Sequence, residues 1–277
     1  MGVNRTDYNT EAVAAAKSVL IELVHLLGEY RDHFVVIGGW VPELLLPAAT
    51  SPHVGSIDVD IALNHRKFAQ DGYKMVQEIL LSRGYELGKQ PFIFFRPVKL
   101  GDRIIKVEVD LLAGEYGGTG KNHRTQKVQD VRPRKARGCD LAFELFREIN
   151  VEGEIPGGGT DSVTVRVASI VPFLVMKGMA LHDRIKEKDA WDIYYCVKNY
   201  PGGTDAVAAE FQPHLNHSLV REGLEKIAGK FSSVHAVGPK FVADFEEITD
   251  QAERELLQRD AFERVRALLE IIGVVKK

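Results

Sequence analysis

The stretch Ser56-Ile57-Asp58-Val59-Asp60-Ile61-Ala62-Leu63 constrains the chain most. Apolar and polar residues alternate along it, which is the period of a half-buried β-strand. Successive strand side chains point to opposite faces. Asp58 and Asp60 therefore share one face, and Ile57, Val59 and Ile61 share the other. Two carboxylates this close repel, and neither is stable in an apolar core without a partner. Either the pair is solvated at a strand end, or a cation lies between them. Hard divalent cations such as Mg²⁺ take oxygen ligands, commonly one or two carboxylates plus substrate phosphates. Asp-x-Asp alone does not choose between a wet strand face and a cation site.

The residues upstream bear on the choice. Phe34-Val35-Val36-Ile37-Gly38-Gly39-Trp40-Val41-Pro42 is an apolar strand running into a glycine pair. A helix is expected to start at Val41, with Pro42 suited to a first helical position. Strand, glycine turn and helix N-terminus together form an anion-binding arrangement. Glycine lets backbone approach a phosphate, and the helix end offers unbonded N–H groups. The plainer reading is a tight turn that needs a positive φ. Downstream, residues 92–96 and 104–112 read as two strands of a hairpin around Gly101-Asp102. Lys106, Glu108 and Asp110 share a face there. They are either a solvent-facing row or the source of a third carboxylate, which two-metal phosphoryl transfer requires. Asp110 is the candidate, with Glu108 as a substitute.

A second informative stretch runs from Ser169 to Lys198. Residues 171–181 are helical in pattern and lead into Arg184-Ile185-Lys186-Glu187-Lys188-Asp189-Ala190-Trp191-Asp192. On an unbroken helix at 100° per residue, Lys177, Arg184, Lys188 and Asp192 fall on one face. Asp189 and Asp192 also read as an N-cap and its partner three residues on. Lys177 lies on a largely apolar helix, where a buried ammonium needs a partner. A triphosphate is one such partner.

Residues 37–40 followed by 56–60 resemble the signature of the DNA polymerase β-type nucleotidyltransferase superfamily. Lys177, Ala180, Arg184, Lys188-Asp189 and Asp192 resemble the second half of one branch, the AbiEii-type nucleotidyltransferases. These are the toxin components of abortive-infection and type IV toxin–antitoxin systems. The resemblance covers residues 30–200. It implies an α+β fold, a nucleotidyltransferase-type mixed β-sheet with flanking helices (1–168), followed by a helical C-terminal domain (169–277) that completes the active site. It implies Asp58, Asp60 and Asp110 as ligands of two Mg²⁺ ions. Gly38, Gly39, Trp40 and Ser56 would bind the NTP, together with Lys177, Arg184, Lys188 and Asp189. Lys177 and Asp192 join the three metal carboxylates as catalytic residues. The implied reaction moves a nucleoside monophosphate from an NTP to an acceptor, RNA and tRNA in particular, and a genetically linked antitoxin would form no stable complex with the enzyme. Two departures bear on nucleotide choice. The branch often carries an arginine two residues before the Ser/Thr of its Asp-x-Asp motif, where this chain has Val54 with His53 beside it, and its usual Thr is Ser56.

Composition sets the remaining bounds. The 277 residues suffice for one large or two small domains, and 45% hydrophobic and 27% charged content is ordinary for a globular protein. No apolar run approaches the ~20 residues of a membrane span. Cys139 and Cys196 have no metal-like spacing, and free thiols in a reducing cytoplasm are the expectation. The net charge of −3 leaves polynucleotide contact to a local patch. That patch is the basic run 121–137, with Arg132, Arg134 and Lys135 as the expected RNA contacts. Two other functions remain open at this point: nucleotide transfer to a small molecule such as an antibiotic hydroxyl, and a non-catalytic module that binds nucleotide or a protein partner. From Thr204 onward the pattern is helical, with no chemistry of its own.

Overall fold

The computed structural model describes residues 4–64, 74–90, 92–113 and 134–276, with backbone alone at 74, 75, 134 and 135. The fold is a mixed sheet with flanking helices and a helical C-terminal region. Two compact units make it up. One holds Tyr8–Val41 and Gly55–Ser169; the other holds residues 4–7, Pro42–Val54 and 170–276.

The first unit is built on the sheet. Helix α1 (Thr10–Leu26) is capped by Asn9, whose side chain accepts from the Ala12 N–H. Strands β1 (Phe34–Ile37) and β2 (Asp58–Leu63) run antiparallel. Helix α2 (Trp40–Leu45) follows β1 and has its first two residues in this unit, and α3 (Lys74–Ser82) follows β2. The spacing of Phe68, Met75, Val76, Ile79 and Leu80 predicts a helix over 65–83, of which residues 65–73 lie outside the described residues. The short β3 (Glu86–Leu87) pairs with β4 (Ile93–Leu100), which forms a hairpin with β5 (Arg103–Ala113) through Gly101 at φ 58°. The hairpin is longer than the sequence pattern suggests. Pro97 lies beyond the last β3 partner, where β4 has no strand on that side among the described residues and a missing N–H is tolerated. Strand β6 (Arg134–Lys135) runs parallel to the end of β5. A second hairpin, β7 (Phe146–Glu154) and β8 (Thr160–Ala168), turns at three glycines. The pattern of residues 141–151 predicts a short strand; the strand starts only at Phe146, because residues 139–143 form a 3₁₀ turn after Gly138, whose φ of 87° redirects the chain.

The order across the sheet is β3-β4-β5-β2-β1-β8-β7. β2 and β5 are parallel, with Asp58 beside Glu108, Val59 beside Val109 and Asp60 beside Asp110. Neighbours in register share a face. Val59, Ile61, Val107, Val109 and Leu111 are therefore buried together on one side. α1 packs on that side, where Arg96 of β4 reaches Glu22 of α1 with two N–H groups at 2.8 Å each. Tyr85 donates to the same carboxylate at 3.0 Å. Burial, then the Glu22 charge, pushes the Tyr85 hydroxyl well above its ordinary pKa.

The second unit is helical. α4 (Ile170–Arg184), α5 (Glu187–Asn199), α6 (Gly203–Phe211), α7 (Ser218–Lys230), α8 (Val237–Phe245) and α9 (Gln251–Ile271) follow in order. α4 and α7 meet at Gly178 and Gly223. A Cβ on Gly178 would lie 2.6 Å from the Gly223 carbonyl, so only glycine permits this approach. No helix among the described residues is long and apolar enough to cross a membrane.

The Arg96–Glu22 pair generates a stability prediction. Arg96→Leu leaves Glu22, mostly buried, with Tyr85 alone, and should destabilise the protein by about 2 kcal/mol. Urea denaturation of both proteins checks it, with the expected loss read at unchanged m-value.

Candidate functional site

The parallel register sets four carboxylates on the sheet face opposite α1. Asp58 and Asp60 come from β2, and Glu108 and Asp110 come from β5. Asp110 is 3% exposed. Ser56 is buried, and its hydroxyl donates to Asp58 Oδ1 at 2.5 Å. It orients the carboxylate. Ile37, the last residue of β1, lies beside Asp60, and the chain then turns at Gly38 with φ 69°. A Cβ there would lie 1.9 Å from Asp60 Oδ2. Only glycine satisfies both the left-handed backbone and the contact. Cys139 is buried close enough to Asp60 to feel its charge. Burial, then Asp140 and Asp60, pushes its thiol above the ordinary range.

Three details of the glycine turn differ from expectation. The helix starts at Trp40, one residue earlier than Val41, because the Val41 N–H already bonds to the Gly38 carbonyl at 3.2 Å. Pro42 is consequently the third helical residue, still within the first turn where no N–H is needed. At six residues the helix has little aligned dipole to offer an anion. Trp40, expected to bind nucleotide, is fully buried. Its indole N–H donates to the Asp58 carbonyl at 2.8 Å and ties the turn to β2.

Among the described residues, no three His, Cys, Asp or Glu side chains converge as a metal cage. The donor set is nevertheless all hard oxygen, which suits Mg²⁺. That ion keeps several waters and typically takes one or two carboxylates plus phosphate oxygens.

The second group of candidates lies in the helical unit. The helix over 171–192 is not continuous: α4 ends at Arg184 and α5 starts at Glu187. The break is at Ile185, a β-branched residue at φ 50°. Lys177 and Arg184 thus stand on one helix, and Lys188, Asp189 and Asp192 on the next. Packing of the two helices, and not one helical face, brings them together. Lys177 Nζ lies 2.9 Å from Asp189 Oδ1 and 2.6 Å from Asp192 Oδ2. Arg184 grips Asp189 with Nε at 2.8 Å and Nη2 at 2.9 Å. Lys188 reaches both Asp192 oxygens, at 3.0 and 3.2 Å. Lys177, Lys188, Asp189 and Asp192 are buried, while the Arg184 side chain is 39% exposed. Asp189 is not the N-cap; Lys186 holds that position.

Charge compensation inside the network governs its protonation. Burial alone would depress the Lys177 ammonium, but Asp189 and Asp192 outweigh it and hold its pKa above the ordinary value. Burial alone would raise Asp192, but Lys177 and Lys188 dominate and hold it well below the carboxylate range. Asp189 is lowered in the same way, against its burial, by Lys177 and Arg184. Lys177 therefore has protein partners without any triphosphate. Asp192, with both oxygens occupied and its charge so stabilised, is a poor proton acceptor. Its role is to organise donors.

His53 belongs to this network and was visible in the sequence only as a departure from a motif. Its Nε2 lies 2.9 Å from Asp192 Oδ1. Burial, then the Lys188 charge, lowers its pKa from 6.5 to about 4. Its partner is 139 residues away, so no local spacing signals the contact. Of the expected RNA contacts, Arg132 lies outside the described residues, and Arg134 and Lys135 are described in backbone alone, as β6.

No family model matches the chain, and no curated protein matches it. Among solved structures, the crystal structure of JHP933 from Helicobacter pylori is similar at 12% identity and a TM-score of 0.45, covering 96% of this chain and 95% of that one.

Gly38→Ala should force Asp60 aside, lowering the melting temperature and weakening Mn²⁺ binding followed by electron paramagnetic resonance. Unchanged Mn²⁺ affinity would show that Asp60 takes no part in holding a cation. The network supplies a pH prediction. His53 binds a proton less readily folded than unfolded, so stability falls as pH drops from about 6.5 to about 4, by about 3 kcal/mol for this residue. Below that window the loss is complete. In His53→Leu the slope between these pH values should flatten, measured by denaturant midpoints across the range.

Proposed function

We propose that this chain is a Mg²⁺-dependent nucleotidyltransferase. It transfers a nucleoside monophosphate from an NTP to an acceptor hydroxyl and releases pyrophosphate. The observation that carries this reading is the β2–β5 register, which sets Asp60 beside Asp110 and Asp58 beside Glu108 on one face. The motif resemblance set out above supports it independently of the register.

Asp58, Asp60 and Asp110 would hold the metal. When bound, Mg²⁺ neutralises phosphate charge and polarises the attacking hydroxyl. Ser56 keeps Asp58 turned to its task through the 2.5 Å hydrogen bond. Gly38 brings the backbone against Asp60, where its neighbouring peptide groups can meet phosphate. Asp110 takes the proton of the attacking hydroxyl as the new oxygen–phosphorus bond forms and the bond to the pyrophosphate breaks. Arg184, the partly exposed cation of its network, is oriented by Asp189 through two hydrogen bonds and offers charge to a polyphosphate. Lys177 and Lys188 support that charge from within, since three cations stand against two carboxylates.

The acceptor we assign is RNA, tRNA in particular, with Arg132, Arg134 and Lys135 as its contacts, and the biological role is that of a toxin in a toxin–antitoxin or abortive-infection system. Both come from the resemblance. Transfer of labelled NTPs to total RNA, protein and small hydroxyl compounds tests the acceptor, and label on a small compound alone would replace RNA by the small-molecule reading.

Asp58→Ala and Asp60→Ala should reduce transfer to background while leaving the circular dichroism and melting curve close to wild type, because both side chains are only partly buried and lie outside the apolar core. Transfer at the wild-type rate would remove these residues from the site. If expression of the protein arrests growth, expression of Asp60→Ala should not. Equal arrest by the variant would favour a binding module over an enzyme.

A further inference from the structure

The nucleotidyl-transfer mechanism leaves one buried ring without a task. His53 is fully buried at the side chain. It sits in a slot made by Trp191 and Tyr195, with ring centroids 5.0 and 4.9 Å away. Tyr195 closes the slot by donating its hydroxyl to the Ser51 carbonyl at 2.7 Å. Trp191 and Tyr195 flank Asp192 on α5, so the helix that carries the carboxylate also carries the slot. An ionised carboxylate only accepts hydrogen bonds. The proton of the neutral imidazole is therefore on Nε2, pointing at Asp192 Oδ1.

Asp192 then has a defined set of donors. Oδ1 accepts from His53 at 2.9 Å and Lys188 at 3.0 Å, and Oδ2 accepts from Lys177 at 2.6 Å and Lys188 at 3.2 Å. Two ammonium groups compete for one carboxylate. Ammonium bonds have weak directionality, because three donors rotate about one stem. The imidazole is different: it is rigid, held in place by two rings, and adds a donor without adding charge. We propose that His53 is a positioning residue that fixes the rotation of the Asp192 carboxylate, and through it the places of the Lys177 and Lys188 ammonium groups that support NTP binding. The inference rests on the nucleotidyl-transfer reading for its consequence, but its geometry is independent of that reading.

The experiment compares His53→Leu, which fills the slot without a donor, with His53→Gln, whose side-chain amide N–H reaches to the same position. Two measurements are made: equilibrium binding of each of the four NTPs without acceptor, and the ¹⁵N-correlated signals of lysine ammonium groups protected from exchange. H53L should bind the NTP preferred by the wild type roughly tenfold more weakly, the loss of one hydrogen bond to a charged group. It should also lose the protected signal of Lys177 or Lys188. H53Q should retain both. If H53L fails to fold, His53→Asn, whose shorter amide falls short of Asp192, takes its place. H53L with wild-type affinity and intact ammonium signals but a lower melting temperature would overturn the proposal, leaving His53 as packing. So would H53Q behaving as H53L does. If the wild type binds none of the four NTPs, the nucleotidyl-transfer reading fails. The ammonium signals alone then decide His53, with selective loss in H53L upholding the positioning role and no change ending it.

Discussion

Pairing of β2 with β5 is the constraint on which the sheet unit depends. A parallel pair with period-two side chains forces like positions to like faces. Val59 against Val109 and Ile61 against Leu111 extend the α1-facing core. The same register leaves Asp58 against Glu108 and Asp60 against Asp110 no other place than side by side on the opposite face. A slip of one residue would put carboxylates under α1 and valines on the acidic face. The hydrophobic core thus sets four acidic side chains on one face.

The helical unit handles charge in the opposite way. Asp189 and Asp192 are among its most buried residues, and each has at least two cationic donors in contact. A buried ion pair contributes little net stability when complete, and removal of one member is costly because the other stays behind. Lys177→Ala is accordingly a poor probe of triphosphate binding, since it exposes two buried carboxylates to undercompensation before any nucleotide is considered. Arg184 is the cation whose loss disturbs the buried charge least, because part of its surface already meets solvent.

Much of this was legible from residue pattern. The alternation around Asp58 and Asp60, the apolar strand before Gly38, the hairpin that carries Asp110 and the helical pattern from Thr204 onward all follow from local periodicity. The misplacements have local causes with tertiary support. Ile185 at a positive φ breaks a helix that no Gly or Pro marks, and the cost is tolerated where Arg184 and Lys188 must close on Asp189 and Asp192 from two directions. Trp40 looks like a nucleotide platform beside glycines, yet its indole N–H finds a carbonyl 18 residues on. His53 showed only as a departure from a motif, because its contact with α5 lies 139 residues along the chain.

The acidic row and the closed network differ in what they ask of a ligand. The network carries its own counter-charge, so its geometry is set by the protein alone, which is what preorganised electrostatic stabilisation requires. The row gathers carboxylate oxygens from two strands. A divalent cation would meet these donors together only in the folded state, where the register holds them side by side. Binding then adds to folding stability by mass action. A stable core that imposes like charges on one face is a reasonable physical origin for a metal site, because the free energy that gathers the ligands comes from valines and leucines on the other face and not from the metal itself.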